Sequence, residues 1–179
     1  MNSPASITKD TKIGIFYGST TCYTEMAAEQ IQAKLASRDA QLHNIIDTPI
    51  SKCLDYDFLI FGIPTWDYGE LQEDWENIWD DVSGLDLSGK TAAVFGLGDQ
   101  IGYPDWFQDA MGYLYHLLAS RGATLVGHWP NTGYEYKESK GLTEDGRFFV
   151  GLSLDDENEA ELSDGRIDQW LVSMGLTER

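Results

Sequence analysis

Short apolar runs alternate with longer amphipathic stretches along most of this chain, and that alternation limits the possible folds more than any other feature. The strand candidates are residues 12–17, 41–46, 57–62, 91–96 and 124–127, with 148–152 as a continuation of the last strand. The helix candidates, with apolar residues at helical spacing, are residues 22–37, 73–82, 105–121 and 164–174. This order predicts an α/β fold in which helices cover both faces of a parallel sheet.

The chain has 179 residues, enough for one domain with a single core. We expect residues 1–11 to be a flexible leader, residues 12–176 to form the domain, and residues 128–147 to be an insertion within the last strand. The N-terminus lacks a signal-peptide pattern, and the apolar runs are far shorter than the roughly 20 residues that cross a membrane. Cys22 and Cys53 form no disulfide framework, so we expect a soluble protein of the reducing cytoplasm.

A loop rich in hydroxyl groups follows the first predicted strand and opens the first predicted helix. Gly18 permits a tight turn there, and the candidate ligands that follow are Ser19, Thr20, Thr21, Cys22, Tyr23 and Thr24. Backbone N–H groups at a helix start, together with hydroxyl groups, form an anion site. The loop contains no Lys or Arg, which favours a terminal monophosphate held by neutral donors. The alternative is a helix that is merely capped by Ser and Thr.

Two further loops bring aromatic residues to the same edge of the predicted sheet. The candidates after the third strand are Pro64, Thr65, Trp66, Asp67, Tyr68 and Gly69. Those after the fourth strand are Leu97, Gly98, Asp99 and Tyr103. Ligands of open α/β sheets bind beyond the carboxyl ends of the strands. The three loops together predict a flat aromatic ligand between Trp66 and Tyr103, with its phosphate in the hydroxyl-rich loop.

The chain is strongly acidic, with thirty acidic and twelve basic residues and a formal charge of −18. Such a surface repels nucleic acid and anionic membranes, so we expect neither as a partner. Several acidic residues lie on or beside the candidate loops and predict an acidic face that steers basic partners: Glu70, Glu73, Asp74, Asp99, Asp105 and Asp109. A charge that serves solubility alone, on solvated helix faces, is the alternative.

Three segments resemble the FMN-binding loops of the flavodoxin family, in the family's order and spacing: GSTTCYT, PTWDYGELQEDW and GLGDQIGYPDWFQDA. The interrupted last strand resembles the long-chain flavodoxins, and TCYTEMAAE is similar to a B-type group within the family. The resemblance implies a flavodoxin-like sandwich with a five-stranded parallel sheet of order 2-1-3-4-5, and one non-covalent FMN. By the same resemblance Thr65 would lie near the ribityl chain, and the backbone around Asp99 would meet the pyrimidine edge.

The resemblance also implies a function: a low-potential one-electron carrier rather than an enzyme. Its expected partners are an NADPH-dependent flavodoxin or ferredoxin reductase and acceptor redox enzymes. The protein itself is expected to be a monomer. One departure is Cys22, which replaces a glycine of the family loop. A helix N-terminus does not demand a positive φ, so we expect Cys22 to be unstrained. Trp106 stands beside the third loop, and the sequence leaves open whether it contacts the ligand.

Two other classes of function fit the same fold class. A flavin-dependent quinone or nitro-compound reductase needs an open flavin face, and Trp66 and Tyr103 on both faces argue against it. The histidines, His43, His116 and His128, are scattered, so we expect neither a catalytic His nor a metal site. An FMN-free signalling module needs a phosphoacceptor Asp at a strand end, whereas the first predicted strand ends in Tyr17-Gly18.

Overall fold

The computed structural model describes residues 5–179, so residues 1–4 of the expected leader lie outside the described part of the chain. Within residues 5–179 there are nine strands: β1 (Ile13–Tyr17), β2 (Gln41–Asn44), β3 (Phe58–Trp66), β4 (Glu70–Leu71), β5 (Thr91–Leu97), β6 (Thr124–Leu125), β7 (Trp129–Pro130), β8 (Phe148–Phe149) and β9 (Leu152–Leu154). The α-helices are α1 (Tyr23–Lys34), α2 (Glu73–Asn77), α3 (Trp79–Ser83), α4 (Asp109–Ser120) and α5 (Ala160–Ser173). Short 3-10 helices cover Ala36–Arg38 and Ile50–Asp55.

The central sheet confirms the predicted parallel order. Its strands run β2-β1-β3-β5-β6, and every pair along this path is parallel. The last strand is divided: Thr124 of β6 pairs with Thr91 at the start of β5, and Leu152 of β9 pairs with Phe95 near its end. Two short strands were not predicted: β4, which pairs antiparallel with β3, and β7. The continuation of the last strand expected over 148–152 is only partly right, because β8 pairs antiparallel with β7 outside the central sheet and the part that joins the sheet is β9.

Two apolar layers cover the two faces of this sheet. On one face, α1 and α5 pack Ile31 and Trp170 against the strands. On the other, α2, α3 and α4 contribute Trp75, Val82 and Leu114. All residues of β1 and β5 are buried, as expected for parallel strands covered on both faces.

Several predicted helix boundaries are wrong. The helix expected over 73–82 is two short helices, because at Ile78 the backbone leaves the α-region, with φ −107° and ψ 7°. The helix expected to start at 105 starts at Asp109, since Gln108 adopts φ 63° and binds the carbonyls of Gly96 and Leu154 through its side chain. The last helix starts at Ala160, four residues earlier than expected.

The residues before β1 contact the domain where they are described. Ile7 packs against the core layer of α1 and α5, and the Arg38 guanidinium donates to the carbonyl of Thr8 at 3.2 Å. The division into a 1–11 leader and a 12–176 domain stays a prediction. Within residues 5–179, no helix is both long and apolar enough to cross a membrane.

Candidate functional site

A cleft lies at the carboxyl edge of the sheet, where the loops after β1, β3, β5 and β9 meet. Its lining contains thirteen of the sixteen predicted site residues: Ser19, Thr20, Thr21, Tyr23, Thr24, Pro64, Thr65, Trp66, Asp67, Leu97, Gly98, Asp99 and Tyr103. Cys22, Tyr68 and Gly69 are not among the lining residues. Asp156 and Glu157 complete the lining and were not predicted. These loops follow the carboxyl ends of parallel strands, where ligands of such sheets bind.

The hydroxyl-rich loop connects β1 to α1 and is held close to the second loop. Gly18 is buried, and a Cβ at this position would lie 2.5 Å from Gln72 Oε1 and 2.9 Å from Trp75 Cδ1. The first intrahelical bond runs from Met26 N to the carbonyl of Cys22, at 2.9 Å. The N–H groups of the first helical turn therefore have no partner inside the helix, and they border the cleft beside the hydroxyl groups.

Cys22 contradicts the expectation drawn from the sequence. It precedes α1 in a left-handed conformation, with φ 70° and ψ −7°, so the position does require a positive φ. The turn that leads from β1 into the helix imposes this conformation, which strains a residue that carries a Cβ. The thiol is exposed, and no side-chain cap bond is present at this helix start.

The second loop is the turn between β3 and β4, in which Trp66 pairs with Glu70. Asp67 and Gly69 have positive φ values of 43° and 86°. Trp66 lines the cleft, yet its Nε1 is buried with no hydrogen-bond partner. Since buried N–H donors are nearly always paired, this indole nitrogen is a candidate donor to a ligand or to water.

Tyr68 lies outside the cleft, and the structure shows why. It is 67 % exposed, and its ring packs edge-on against Trp106, 5.0 Å away between centroids, and against Tyr103 at 6.3 Å. Trp106 therefore supports Tyr68 and is not among the residues that line the cleft.

Gly69 is buried against Asp109, because a Cβ at Gly69 would lie 2.8 Å from Asp109 Oδ2. Asp109 is only 1 % exposed, so the expectation that it belongs to the acidic surface is wrong.

The third loop is fixed by carboxylates that accept from backbone N–H groups. Asp99 Oδ1 accepts from Ile101 N at 3.1 Å and from Gly102 N at 2.7 Å, and it also accepts from the Asn158 amide. Asp155 Oδ2 accepts from both the backbone N–H and the side-chain amide of Gln100. These bonds join the third loop to the one after β9.

The loop after β9 is the part of the site that sequence reasoning missed. It follows the second half of the divided last strand and places Asp156 and Glu157 in the lining. Burial raises the pKa of Asp156, although Ser163 donates a hydrogen bond that acts in the opposite direction. The signal was available, because the rule used for β1, β3 and β5 applies equally to the strand expected over 148–152.

The lining of the cleft has an uneven charge. Asp67, Asp99, Asp156 and Glu157 belong to it, whereas no Lys or Arg does. An anion in this cleft would depend on hydroxyl and backbone N–H donors at the β1–α1 loop. Such donors suit a single phosphate group at a helix start. In the part of the chain that the structure describes, no group of His, Cys, Asp and Glu is arranged to hold a metal ion.

Comparisons with known proteins agree with this architecture. The family model described as Flavodoxin matches residues 15–170. Flavodoxin 2 of Escherichia coli (strain K12) is 51% identical over 158 residues, which cover 88% of this chain and 91% of that protein. A flavodoxin of Picosynechococcus sp. is 47% identical over 164 residues, with coverage of 91% and 95%.

Solved structures agree as well. The crystal structure of Fusobacterium nucleatum flavodoxin bound to flavin mononucleotide superposes with a TM-score of 0.86 at 30% identity. The match covers 92% of this chain and 97% of that one. The chain belongs to the flavodoxin family.

Proposed function

We propose that the cleft binds one FMN without a covalent bond and that the protein carries single electrons between redox enzymes. The proposal rests on one observation: a hydroxyl-rich helix start and two aromatic residues, Trp66 and Tyr103, line the same cleft. Flavodoxins are electron-transfer proteins, and the Fusobacterium nucleatum relative is bound to FMN. When bound, FMN supplies the redox chemistry, and the protein supplies its position and its electrostatic surroundings.

The phosphate would lie against the β1–α1 loop. Ser19, Thr20, Thr21 and Thr24 offer hydroxyl donors there, and Cys22 and Tyr23 offer backbone N–H groups at the start of α1. Neutral donors at a helix N-terminus suit a dianionic phosphate. The absence of Lys and Arg from the lining also explains why this loop would select a single phosphate over a triphosphate.

The isoalloxazine ring would lie between the second and third loops. Trp66 and Tyr103 would flank its two faces, and Pro64, Thr65, Asp67, Leu97, Gly98 and Asp99 would form the walls. The Thr65 hydroxyl accepts from Ala110 N at 3.0 Å, so its own hydrogen is available to a ligand hydroxyl. Tyr68 and Gly69 would contribute by shaping the turn. Stacking of such rings adds about 0.5–1.5 kcal/mol per pair beyond area burial.

The carboxylates beside the ring site would set a low reduction potential. Asp67, Asp99 and Asp156 lie in the lining, and a negative charge there disfavours each further negative charge placed in the cleft. An enzyme of the quinone-reductase type needs one open ring face for its substrate. Two aromatic residues in the lining leave less room for such a substrate, which favours the carrier over the reductase.

Partners would approach the carboxyl edge of the sheet. The four loop segments at this edge (18–22, 67–72, 98–108 and 155–159) contain no Lys or Arg. Besides the buried Asp155, they contain seven acidic residues: Asp67, Glu70, Asp99, Asp105, Asp156, Glu157 and Glu159. We propose that this acidic face binds the basic surfaces of an NADPH-dependent flavodoxin or ferredoxin reductase and of acceptor enzymes. The carrier would act as a monomer in the cytoplasm. Electrostatic steering of this kind raises association rates.

The test is reconstitution of the apo-protein with FMN, followed by anaerobic redox titration. We expect tight binding, flavin absorption bands, and two well-separated one-electron potentials. Tyr103→Leu should change the affinity and the potentials, whereas Tyr113→Leu, at a residue of similar exposure (38 % against 39 %) on α4, should change neither. Failure to bind FMN, or rapid NADPH-dependent turnover of added quinone, would contradict the proposal.

A further inference from the structure

Gln72 is a buried polar residue beneath the hydroxyl-rich loop, and the cleft lining does not include it. It lies directly before α2, in the segment that follows β4, and it is 2 % exposed. Its side-chain nitrogen lies 3.1 Å from Thr20 Oγ1 and 2.7 Å from Asp74 Oδ2. Gln72 therefore links the second loop to the first from below.

The Asp74 carboxylate settles which end of the Gln72 amide points at Thr20. An ionised carboxylate can only accept hydrogen bonds, so the atom that lies 2.7 Å from it must be the amide nitrogen. The nitrogen carries two hydrogens, and Asp74 and Thr20 each accept one. Thr20 Oγ1 is thus an acceptor in its bond with Gln72, and its own hydrogen must point elsewhere.

We propose that Gln72 is a positioning residue for the phosphate subsite, which turns the Thr20 hydroxyl so that its hydrogen is donated into the cleft. Thr20 belongs to the cleft lining. A hydroxyl that already accepts one hydrogen bond is a better donor in a second, because bonds in a chain polarise one another. The inference rests on the proposed function, since the acceptor it assigns to Thr20 is the phosphate of FMN.

The surroundings of Gln72 indicate that the amide is present for its N–H donors. Its Oε1 is buried with no hydrogen-bond partner, an arrangement that costs stability. The side chain is confined by Gly18, where a Cβ would lie 2.5 Å from Oε1, and by Trp75, which is anchored by a 2.9 Å bond from its Nε1 to the carbonyl of Gly62. A wholly apolar side chain of this length would fill the same space without an unpaired oxygen.

The experiment compares the binding of FMN and riboflavin to apo-protein, because riboflavin lacks the phosphate. Gln72→Met keeps the length of the side chain and removes its donors. We expect the dissociation constant of FMN to rise about tenfold, because the Thr20 hydroxyl is no longer held in position to donate to the charged phosphate. The dissociation constant of riboflavin should stay unchanged. In a Thr20→Ala background, Gln72→Met should cause no further loss, because Gln72 acts through Thr20.

A second readout needs no flavin. Inorganic phosphate, titrated into apo-protein and followed by phosphorus NMR, should bind more weakly to Gln72→Met than to the unaltered protein. If Gln72→Met does not fold, Gln72→Leu serves instead, because it also removes the N–H donors and places no charge beside the phosphate. Thermal unfolding identifies the variants that fold.

The outcomes separate this inference from the proposed function. Equal weakening of FMN and riboflavin, or no change in either, would overturn the role of Gln72 while leaving FMN binding intact. An additive loss in the Thr20→Ala background would overturn the route through Thr20. An unaltered protein that binds neither FMN nor inorganic phosphate would overturn the proposed function itself, and this inference with it.

Discussion

Cys22 is the residue at which backbone geometry and side-chain identity conflict. Its φ of 70° lies in the region that glycine adopts freely, and the residue is exposed. The neighbouring functional groups at this helix start are backbone N–H groups, which a change of side chain leaves in place. The strain at Cys22 and the anion-binding geometry of the loop are therefore separable.

We expect Cys22→Gly to raise the free energy of unfolding of the apo-protein by about 1 kcal/mol, because glycine removes the left-handed strain. The affinity for FMN should change little. Urea unfolding followed by fluorescence measures the first quantity, and FMN titration the second. Cys22→Ala is the matched control, since alanine removes the thiol and keeps the strain; it should not stabilise the protein. A glycine variant less stable than the alanine variant would contradict the account.

At the scale of elements, the start of α4 is the junction of three segments. Asp109, its first residue, accepts a 2.7 Å bond from Lys140 N in the insertion and packs beneath Gly69 of the β3–β4 turn. The insertion also donates two backbone bonds, from Lys137 and Glu138, to the carbonyl of Pro104 in the third loop. The insertion is thus tied to the loop that carries Tyr103.

Burial raises the pKa of Asp109 above its ordinary value, so the folded protein holds this proton more tightly than the unfolded chain does. Ionisation of Asp109 therefore lowers the free energy of unfolding. This loss of stability develops as the pH rises from the unfolded pKa of about 3.9 through the folded pKa. Asp109→Asn keeps the acceptor for Lys140 N and removes the charge. We expect its stability relative to the unaltered protein to rise between pH 4 and pH 7.

Asp86→Asn is the control for this prediction. Hydrogen bonds from Ser88 lower the pKa of Asp86, so its ionised form stabilises the folded state. The relative stability of Asp86→Asn should therefore fall as pH rises to the unfolded pKa of about 3.9, and it should stay constant between pH 4 and pH 7, where that of Asp109→Asn rises. Urea unfolding of apo-protein at a series of pH values gives both slopes. Parallel slopes for the two variants would show that the burial of Asp109 does not control its titration.

At the scale of the whole molecule, the basic residues are distributed unevenly along the direction of the strands. The loops at the cleft edge carry no Lys or Arg, whereas most basic residues lie near the starts of strands or the ends of helices at the opposite edge: Lys9, Lys12, Lys34, Arg38, Lys52, Lys90 and Arg121. Such a distribution gives the molecule an electric dipole in addition to its net charge of −18. A dipole of this direction would turn the cleft toward a basic partner before contact.

Two charge reversals test whether position or total charge matters. Glu70→Lys at the cleft edge and Asp10→Lys before β1 each change the formal charge from −18 to −16. We expect Glu70→Lys to slow association with a flavodoxin reductase severalfold at low salt and Asp10→Lys to have little effect. Stopped-flow kinetics over a range of ionic strength is the measurement. Equal slowing by both variants would mean that only net charge acts.

Sequence periodicity by itself determined the parallel sheet, its helical layers and the three loops that meet at its carboxyl edge. The physical reason is that buried strands and amphipathic helices are encoded locally, by apolar spacing over about ten residues. The positions of Ser19, Thr20, Trp66 and Tyr103 in the cleft follow from the parallel direction of the strands, because the carboxyl ends of parallel strands share one edge.

Tertiary structure decided what depends on contacts between distant segments. The burial of Asp109, the late start of α4 and the displacement of Tyr68 from the cleft each arise from packing between loops that are far apart in the chain. The same is true of the bond between Gln72 and Thr20, which joins residues 52 positions apart. A side chain's partner across such a distance has no local pattern, so only the folded chain reveals it.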